Sequence, residues 1–166
     1  MMKILLVLLL ITQSTFSQKP NSKVEGELKK WHKITISFEG QELNESDEDN
    51  LFLNYRLNVT FKNKGKSYTI PGFYAADGNA AETSAKKGNI WQVRFMPNHT
   101  GEWTYDVSFR KGNNIAVNQD AEAGTAVSFD GLTGSFNITK SETRKQGRLL
   151  YTGERYLRYS ETLEPF

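Results

Sequence analysis

Two carboxylates, Asp77 and Glu82, lie in a loop of small and polar residues, 75–88, between two stretches with strand character. Two carboxyl groups at about 5.5 Å, or at about 6.5–9.5 Å, hydrolyse glycosidic bonds. A loop of this length is compatible with either distance, so the spacing does not identify the chemistry. The alternative is structural: Asp77 forms an Asx turn into Gly78, and Glu82 caps a short helical turn at residues 80–85. We favour the structural interpretation and predict no catalytic residue.

The two histidines do not form a recognisable catalytic or zinc site. His32 shares the alternation of Ile34 and Ile36, which predicts a satisfied interior or edge position, and His99 lies in a predicted turn. A zinc site built on two histidines needs a third ligand, and none is in register. The sequence also has no nucleophile elbow, phosphate loop or dinucleotide motif. We therefore predict that the chain is not an enzyme and has no cofactor and no metal.

The acidic loop 44–50 is the one stretch rich in the hard oxygen ligands that calcium prefers. Asp47, Glu48 and Asp49 would be the ligands, but the glycine and the distal glutamate of an EF-hand loop are missing. We favour a solvated loop, with a calcium site as the alternative.

Exposed aromatic rings beside polar groups would bind sugars, because sugar C–H faces stack on rings while the hydroxyls form hydrogen bonds. Trp91 and Trp103 follow the apolar phase of their strands, which predicts core positions. Trp31 has the opposite phase to its strand, which predicts either an exposed platform or a plug against a neighbouring segment. We favour the plug. One of Phe73 and Tyr74 must face away from the core.

The loop and its flanking aromatic residues form a predicted contact surface for a glycan or a neighbouring domain. Alanine and glycine would let the loop backbone lie close to another surface, and the polar residues supply hydrogen-bonding groups. We predict an interaction loop, with this contact set: Trp31, Phe73, Tyr74, Asp77, Asn79 and Glu82.

The elements that must position these residues are β-strands, because the apolar residues recur with a period of two. The alternation is longest in residues 53–61 and 103–109 and shorter in residues 34–38, 91–95 and 136–138. Turn compositions separate the strands at residues 63–65, 97–101, 111–113 and 130–131. The pattern predicts an all-β fold, an immunoglobulin-like antiparallel β-sandwich, with a jelly roll as the alternative.

The N-terminus has the layout of a secretory signal peptide over residues 1–17, with cleavage before Gln18. The apolar run 4–11 is shorter than the roughly 18 residues that span a bilayer, so we predict no membrane anchor. The protein is therefore expected to be exported, to a periplasmic or extracellular location. A net charge of +2 without a basic cluster predicts no nucleic-acid partner. The chain contains no cysteine, so packing must stabilise it.

Five features resemble, in the same order, the domain-of-unknown-function 5060 family. The first is Trp31 before an alternating strand; the others are "NLFLNYRLNVTF" (50–61), "PGFYAADGNAAETSAKKGNIWQVRFMP" (71–97), "GEWTYDVSF" (101–109) and "GRLLYTGERYLRYS" (147–160). The resemblance implies an immunoglobulin-like sandwich at the N-terminus of secreted bacterial proteins. Such proteins typically continue into a glycoside-hydrolase-like (β/α)₈ barrel. It implies no activity for the sandwich itself.

The resemblance also implies a division of the chain into a signal peptide (1–17), a sandwich (18–140), and a linker with the opening hairpin of a following barrel (141–166). Because a lone hairpin is marginally stable, we expect the chain to be a fragment, a truncated frame or a protein without its catalytic part. The expected function is a non-catalytic module that positions or stabilises the barrel, its partner. The alternatives are a module that binds polysaccharide directly and a stand-alone adhesion or scaffold protein.

Overall fold

The structure, a computed structural model, describes residues 22–153 and 155–166. The predicted signal peptide lies outside this part of the chain. The described residues form two short helices, α1 (Leu51–Asn54) and α2 (Ala80–Thr83), and a 3₁₀ turn at Ile115–Val117. The strands are β1 (Ser22–Gly26), β2 (Ile34–Asn44), β3 (Tyr55–Asn63), β4 (Lys66–Pro71), β5 (Phe73–Ala76), β6 (Lys87–Phe95), β7 (Gly101–Lys111), β8 (Thr125–Ala126), β9 (Thr133–Ile138), β10 (Leu149–Tyr151) and β11 (Leu157–Tyr159).

The strands form two main sheets and a small third one. The first sheet has the order β1-β2-β6-β5, and the second has the order β4-β3-β7-β8, with β9 also paired to β7. Strands β10 and β11 form a separate two-stranded sheet. The registered strand pairs are antiparallel. The all-β, antiparallel prediction is confirmed.

Aromatic side chains fill the space between the two main sheets. Phe61 of β3 stacks on Phe95 of β6 with ring centroids 4.1 Å apart. Trp91 of β6 contacts Phe109 of β7 at 4.8 Å. Trp91 is 3% exposed and Trp103 is 0% exposed, so both predicted core tryptophans are confirmed. The inward residues of both sheets therefore share one core.

A tight turn and a crossing between the sheets connect β3, β4 and β5. Lys64 and Gly65 both have positive φ, 45° and 77°, as a type I′ turn requires, and they join β3 to β4. The chain then leaves the second sheet after Pro71, whose partner is Asn58, and enters the first sheet as β5. The Gly72 N–H donates to the Leu57 carbonyl at 2.8 Å during this crossing. Because β4 pairs with residues 58–63 of β3, residues 55–57 have no β4 partner in the described part of the chain.

The predicted strand 53–61 begins two residues too early. Leu51–Asn54 is helical, and Leu53, expected to face the core, is 41% exposed. Asn50 is the cause, because its side chain accepts hydrogen bonds from the backbone N–H groups of Phe52 and Leu53. A local helix cap therefore overrides the strand alternation. From Tyr55 onward the predicted alternation is confirmed.

The segment before β2 contacts two later parts of the chain, the end of β9 and the residues after β11. Leu28 accepts from the Thr139 N–H at 3.0 Å, and Lys30 donates to the Thr139 carbonyl at 2.9 Å. The Lys30 ammonium also pairs with Glu161 at 2.6 Å. These contacts connect the sandwich to the β10–β11 hairpin. No helix in the described residues has the length and apolarity needed to cross a membrane.

Candidate functional site

The loop that contains Asp77 and Glu82 is ordered by its own hydrogen bonds. The Asn79 N–H donates to Asp77 Oδ1 at 2.9 Å, which confirms the Asx turn. The predicted helical turn is also present, but it ends at Thr83 because Ser84 adopts left-handed backbone angles, φ 58° and ψ 25°. Glu82 lies in the first turn of this helix and is exposed.

The electrostatics of Asp77 do not suit an acid catalyst. Hydrogen bonds from the Thr83 side chain and from the Asn79 backbone lower the pKa of the Asp77 carboxyl below its ordinary value. A general acid needs the opposite, a raised pKa that keeps its proton at neutral pH. Asp77 and Asn79 line a shallow groove of about 340 Å³, which Glu82 does not line. The two carboxylates thus do not share a cavity.

The small residues of the loop are explained by its contact with β6. Ala75 and Ala76 are 5% and 1% exposed. Ala76 has a positive φ of 49°, and the β5–β6 register shifts between Tyr74 and Ala76. The backbone at Gly88 lies so close to the Ala76 carbonyl that a Cβ at Gly88 would overlap it. Small side chains are therefore required by the loop itself, and its role in binding a partner stays a prediction.

Phe73 and Tyr74 have different environments, as the alternation predicts. The Tyr74 hydroxyl has one proton, which the Leu43 carbonyl at 2.6 Å and the Gly88 carbonyl at 3.0 Å share, and its ring packs edge-on against Trp91 with centroids 5.5 Å apart. Burial raises the pKa of this hydroxyl above its ordinary value. Phe73 is 38% exposed, with the Arg94 guanidinium 5.0 Å from its ring centroid. Phe73 is available to a ligand, whereas the Tyr74 hydroxyl is already used.

Replacing Tyr74 by phenylalanine should lower the free energy of unfolding by about 1–2 kcal/mol, because the hydroxyl proton that the two carbonyls share is lost. The raised pKa of Tyr74 means that this contribution is complete below pH 10.0, the ordinary value, and is lost as the pH rises through the raised value. Urea titrations between pH 7 and pH 11 should show the two proteins converging at alkaline pH. A difference that stays constant with pH would contradict this assignment.

Trp31 is a plug and not an exposed platform. It is 7% exposed, and its backbone, with a φ of 65°, donates to the Pro97 carbonyl at 2.9 Å. The Lys30 ammonium lies 5.6 Å from its ring centroid. Trp31 lines a concavity of about 390 Å³ near the hairpin; Asp77 lines the groove of about 340 Å³ instead, and Phe73 lines neither. The six predicted contact residues therefore do not form one site.

The histidines and the acidic loop have structural partners. His32 is 9% exposed, with Nε2 2.8 Å from Ser141 Oγ, so the predicted interior position is confirmed. His99 Nδ1 lies 2.7 Å from Asn98 Oδ1. In the acidic loop, Asp49 pairs with Lys111 at 2.6 Å, and this hydrogen bond raises the pKa of Lys111 to about 12. Within residues 22–153 and 155–166, no group of three acidic or histidine side chains could hold a metal.

A cavity of about 580 Å³ lies where the chain crosses between the sheets, and sequence reasoning did not identify it. Phe52 of α1, which is 56% exposed, lines it together with Phe73 and Tyr74. Tyr55, Leu57 and Trp91 contribute buried walls. The one signal in the sequence was Asn50, a preferred helix N-cap residue, which could have predicted the short helix that carries Phe52.

Comparison with known proteins gives one family and one fold. The sequence profile of the family "Domain of unknown function (DUF5060)" matches residues 27–110. No curated protein matches the chain. A similar solved structure is the crystal structure of a "putative glycoside hydrolase" from Bacteroides vulgatus, with 24% sequence identity and a TM-score of 0.55. The match covers 80% of this chain but only 20% of that one, and at this identity it shows a shared fold alone.

Proposed function

The chain belongs to the domain-of-unknown-function 5060 family, and from this we propose that it is a non-catalytic module of an exported, polysaccharide-active glycoside-hydrolase-like protein. In this proposal residues 18–140 are an immunoglobulin-like sandwich at the N-terminus, and residues 141–166 lead into a catalytic barrel. The module positions and stabilises that barrel. The observation that carries the proposal is the apolar surface of the β10–β11 hairpin.

Large apolar and aromatic side chains in the hairpin, and in the residues that follow it, are exposed to solvent. A two-stranded sheet is marginally stable alone, and exposed apolar side chains that lie together mark contact surfaces. Four side chains of the hairpin and of the residues that follow it are at least 60% exposed: Tyr151, Tyr156, Leu163 and Phe166. We assign this surface, the hairpin surface, to the contact with the barrel.

The hairpin is also joined to the sandwich, which would let the module orient a barrel. Lys30 pairs with Glu161 at 2.6 Å, and the side chains involved are 23% and 34% exposed. Ser141, at the start of the connecting segment, is 9% exposed and lies beside His32. These contacts support a connection that fixes the orientation of the hairpin relative to the sandwich as well as its distance.

Two further observations support a non-catalytic role and a larger protein. The candidate acids Asp77 and Glu82 do not line the same groove, and the pKa of Asp77 is shifted away from that of a general acid. This chain spans about a fifth of the Bacteroides vulgatus chain, so that protein has a large remainder in which an activity could reside.

Deleting the matching segment from the Bacteroides vulgatus protein should lower the Tm of the remainder by about 2 °C, which corresponds to roughly 2 kcal/mol of lost interdomain contact in a remainder of about 500 residues. Differential scanning calorimetry of the two proteins measures this, and an unchanged Tm contradicts the positioning role.

The purified protein should release no reducing ends from xylan, galactomannan or polygalacturonate. Reducing-end release that disappears in the Asp77→Asn variant contradicts the non-catalytic role.

A further inference from the structure

The cavity at the crossing between the sheets has the position and size of a ligand site. It lies beside Gly72, where β4 ends and β5 begins, and Leu57 and Trp91 form part of its wall. Its volume of about 580 Å³ falls within the range of small-ligand pockets, roughly 300–1,000 Å³. These walls are fixed by the core, because Leu57 is 2% exposed and Trp91 is 3% exposed.

Two aromatic rings line this cavity and remain open to solvent. Phe52 comes from α1 and is 56% exposed, while Phe73 comes from β5 and is 38% exposed. The Phe52 ring has no aromatic or cationic partner among the described residues, whereas the Arg94 guanidinium lies 5.0 Å from the Phe73 ring centroid. Two separate elements therefore bring flat apolar surfaces to one cavity.

Polar side chains line the same cavity. The amides of Asn58 and Gln119 have no hydrogen-bond partner among the described residues, and each offers both donors and an acceptor. The Arg56 guanidinium donates to the Asn118 carbonyl at 2.5 Å and to the Ala121 carbonyl at 3.0 Å. Its Nε is buried with no acceptor in the described part of the chain. The cavity thus combines open rings with unused hydrogen-bonding groups.

We propose that this cavity binds a pyranose residue of a polysaccharide chain. Phe52 and Phe73 stack on the C–H faces of the sugar, and the amides of Asn58 and Gln119 bind its hydroxyls. Among the described lining residues, Arg56 is the only charged one. A neutral sugar or a uronic acid fits this charge, whereas a cationic ligand does not. This binding role is separate from docking to a barrel and does not depend on it.

Affinity gel electrophoresis of the purified protein tests the site, with xyloglucan, galactomannan or polygalacturonate in the gel. We expect retardation in at least one gel; the two neutral polymers and the acidic polymer distinguish a neutral sugar from a uronic acid. Phe52→Ala and Phe73→Ala should each weaken retardation about tenfold, the loss of one stacking contact. Asn58→Ala with Gln119→Ala should weaken it too, which a purely apolar contact would not show.

Phe166→Ala is the matched control, because Phe166 is 72% exposed but does not line the cavity. It should migrate as the unchanged protein does, and near-ultraviolet circular dichroism should show that every variant is folded. The proposal is overturned if the protein is retarded in none of the three gels. It is also overturned if the Phe52 and Phe73 variants bind as well as the unchanged protein, or if the Phe166 variant loses as much affinity as they do.

Discussion

The Phe61→Ala variant should lose about 3–5 kcal/mol of unfolding free energy, because a buried aromatic ring is removed and a cavity is left. Phe61 is 0% exposed and stacks on Phe95 of the opposite sheet with ring centroids 4.1 Å apart. Its ring centroid also lies 6.2 Å from that of Tyr105 and 6.3 Å from that of Phe136. One side chain therefore joins strands of both sheets, and its neighbours cannot all move to fill its place.

Urea unfolding followed by tryptophan fluorescence measures this loss. Because small domains have total stabilities of about 5–15 kcal/mol, this loss is a large part of the total, and the variant should unfold at a clearly lower urea concentration than the unchanged protein. Phe52→Ala is the control for the same chemical change at a ring that is 56% exposed, and it should lose less than about 1 kcal/mol. If Phe61→Ala loses no more than Phe52→Ala, the stacking of the two sheets through Phe61 is wrong.

The strands could be predicted from the sequence because each sheet buries one face. The alternation of Trp103 with polar neighbours, for example, follows directly from a half-buried strand, and β7 has that burial pattern. The prediction failed at Leu53, where the Asn50 side chain stabilises a helical turn. Alternation of apolar residues indicates which side chains are buried in a strand. It does not show whether a side-chain cap makes the backbone helical at the same residues.

The candidate site was less predictable, for a different reason. The Asx turn at Asp77 was found because it joins residues two positions apart. The cavity needs Phe52, Phe73 and Gln119, which lie on three segments that meet only after the crossing at Gly72 places β5 in the first sheet. No local pattern contains that information. The positive φ of Trp31 likewise depends on the Pro97 carbonyl, which is far away in the sequence.

Glycine at position 88 is required by the close approach of two backbone segments, and Gly88→Ala should cost about 2–3 kcal/mol. An added Cβ would overlap the carbonyl carbon and oxygen of Ala76 and would lie 2.8 Å from the Asp77 nitrogen. These are backbone atoms, so no change of side-chain rotamer relieves the overlap. The turn at Asp77 must move away from β6, and the Tyr74 hydroxyl then loses the Gly88 carbonyl that it contacts at 3.0 Å.

Gly131→Ala separates this steric effect from backbone strain. Gly131 has a φ of 74° and no atom within 4 Å of an added Cβ, so its substitution should cost only about 1 kcal/mol. Limited proteolysis should cut the Gly88 variant faster within residues 77–86, while the Gly131 variant keeps the unchanged pattern there. Equal losses of stability in the two variants would mean that the loop yields without resistance. A larger loss at Gly88 would mean that the small residues between Ala75 and Gly88 hold the loop against β6, whether or not a partner binds it.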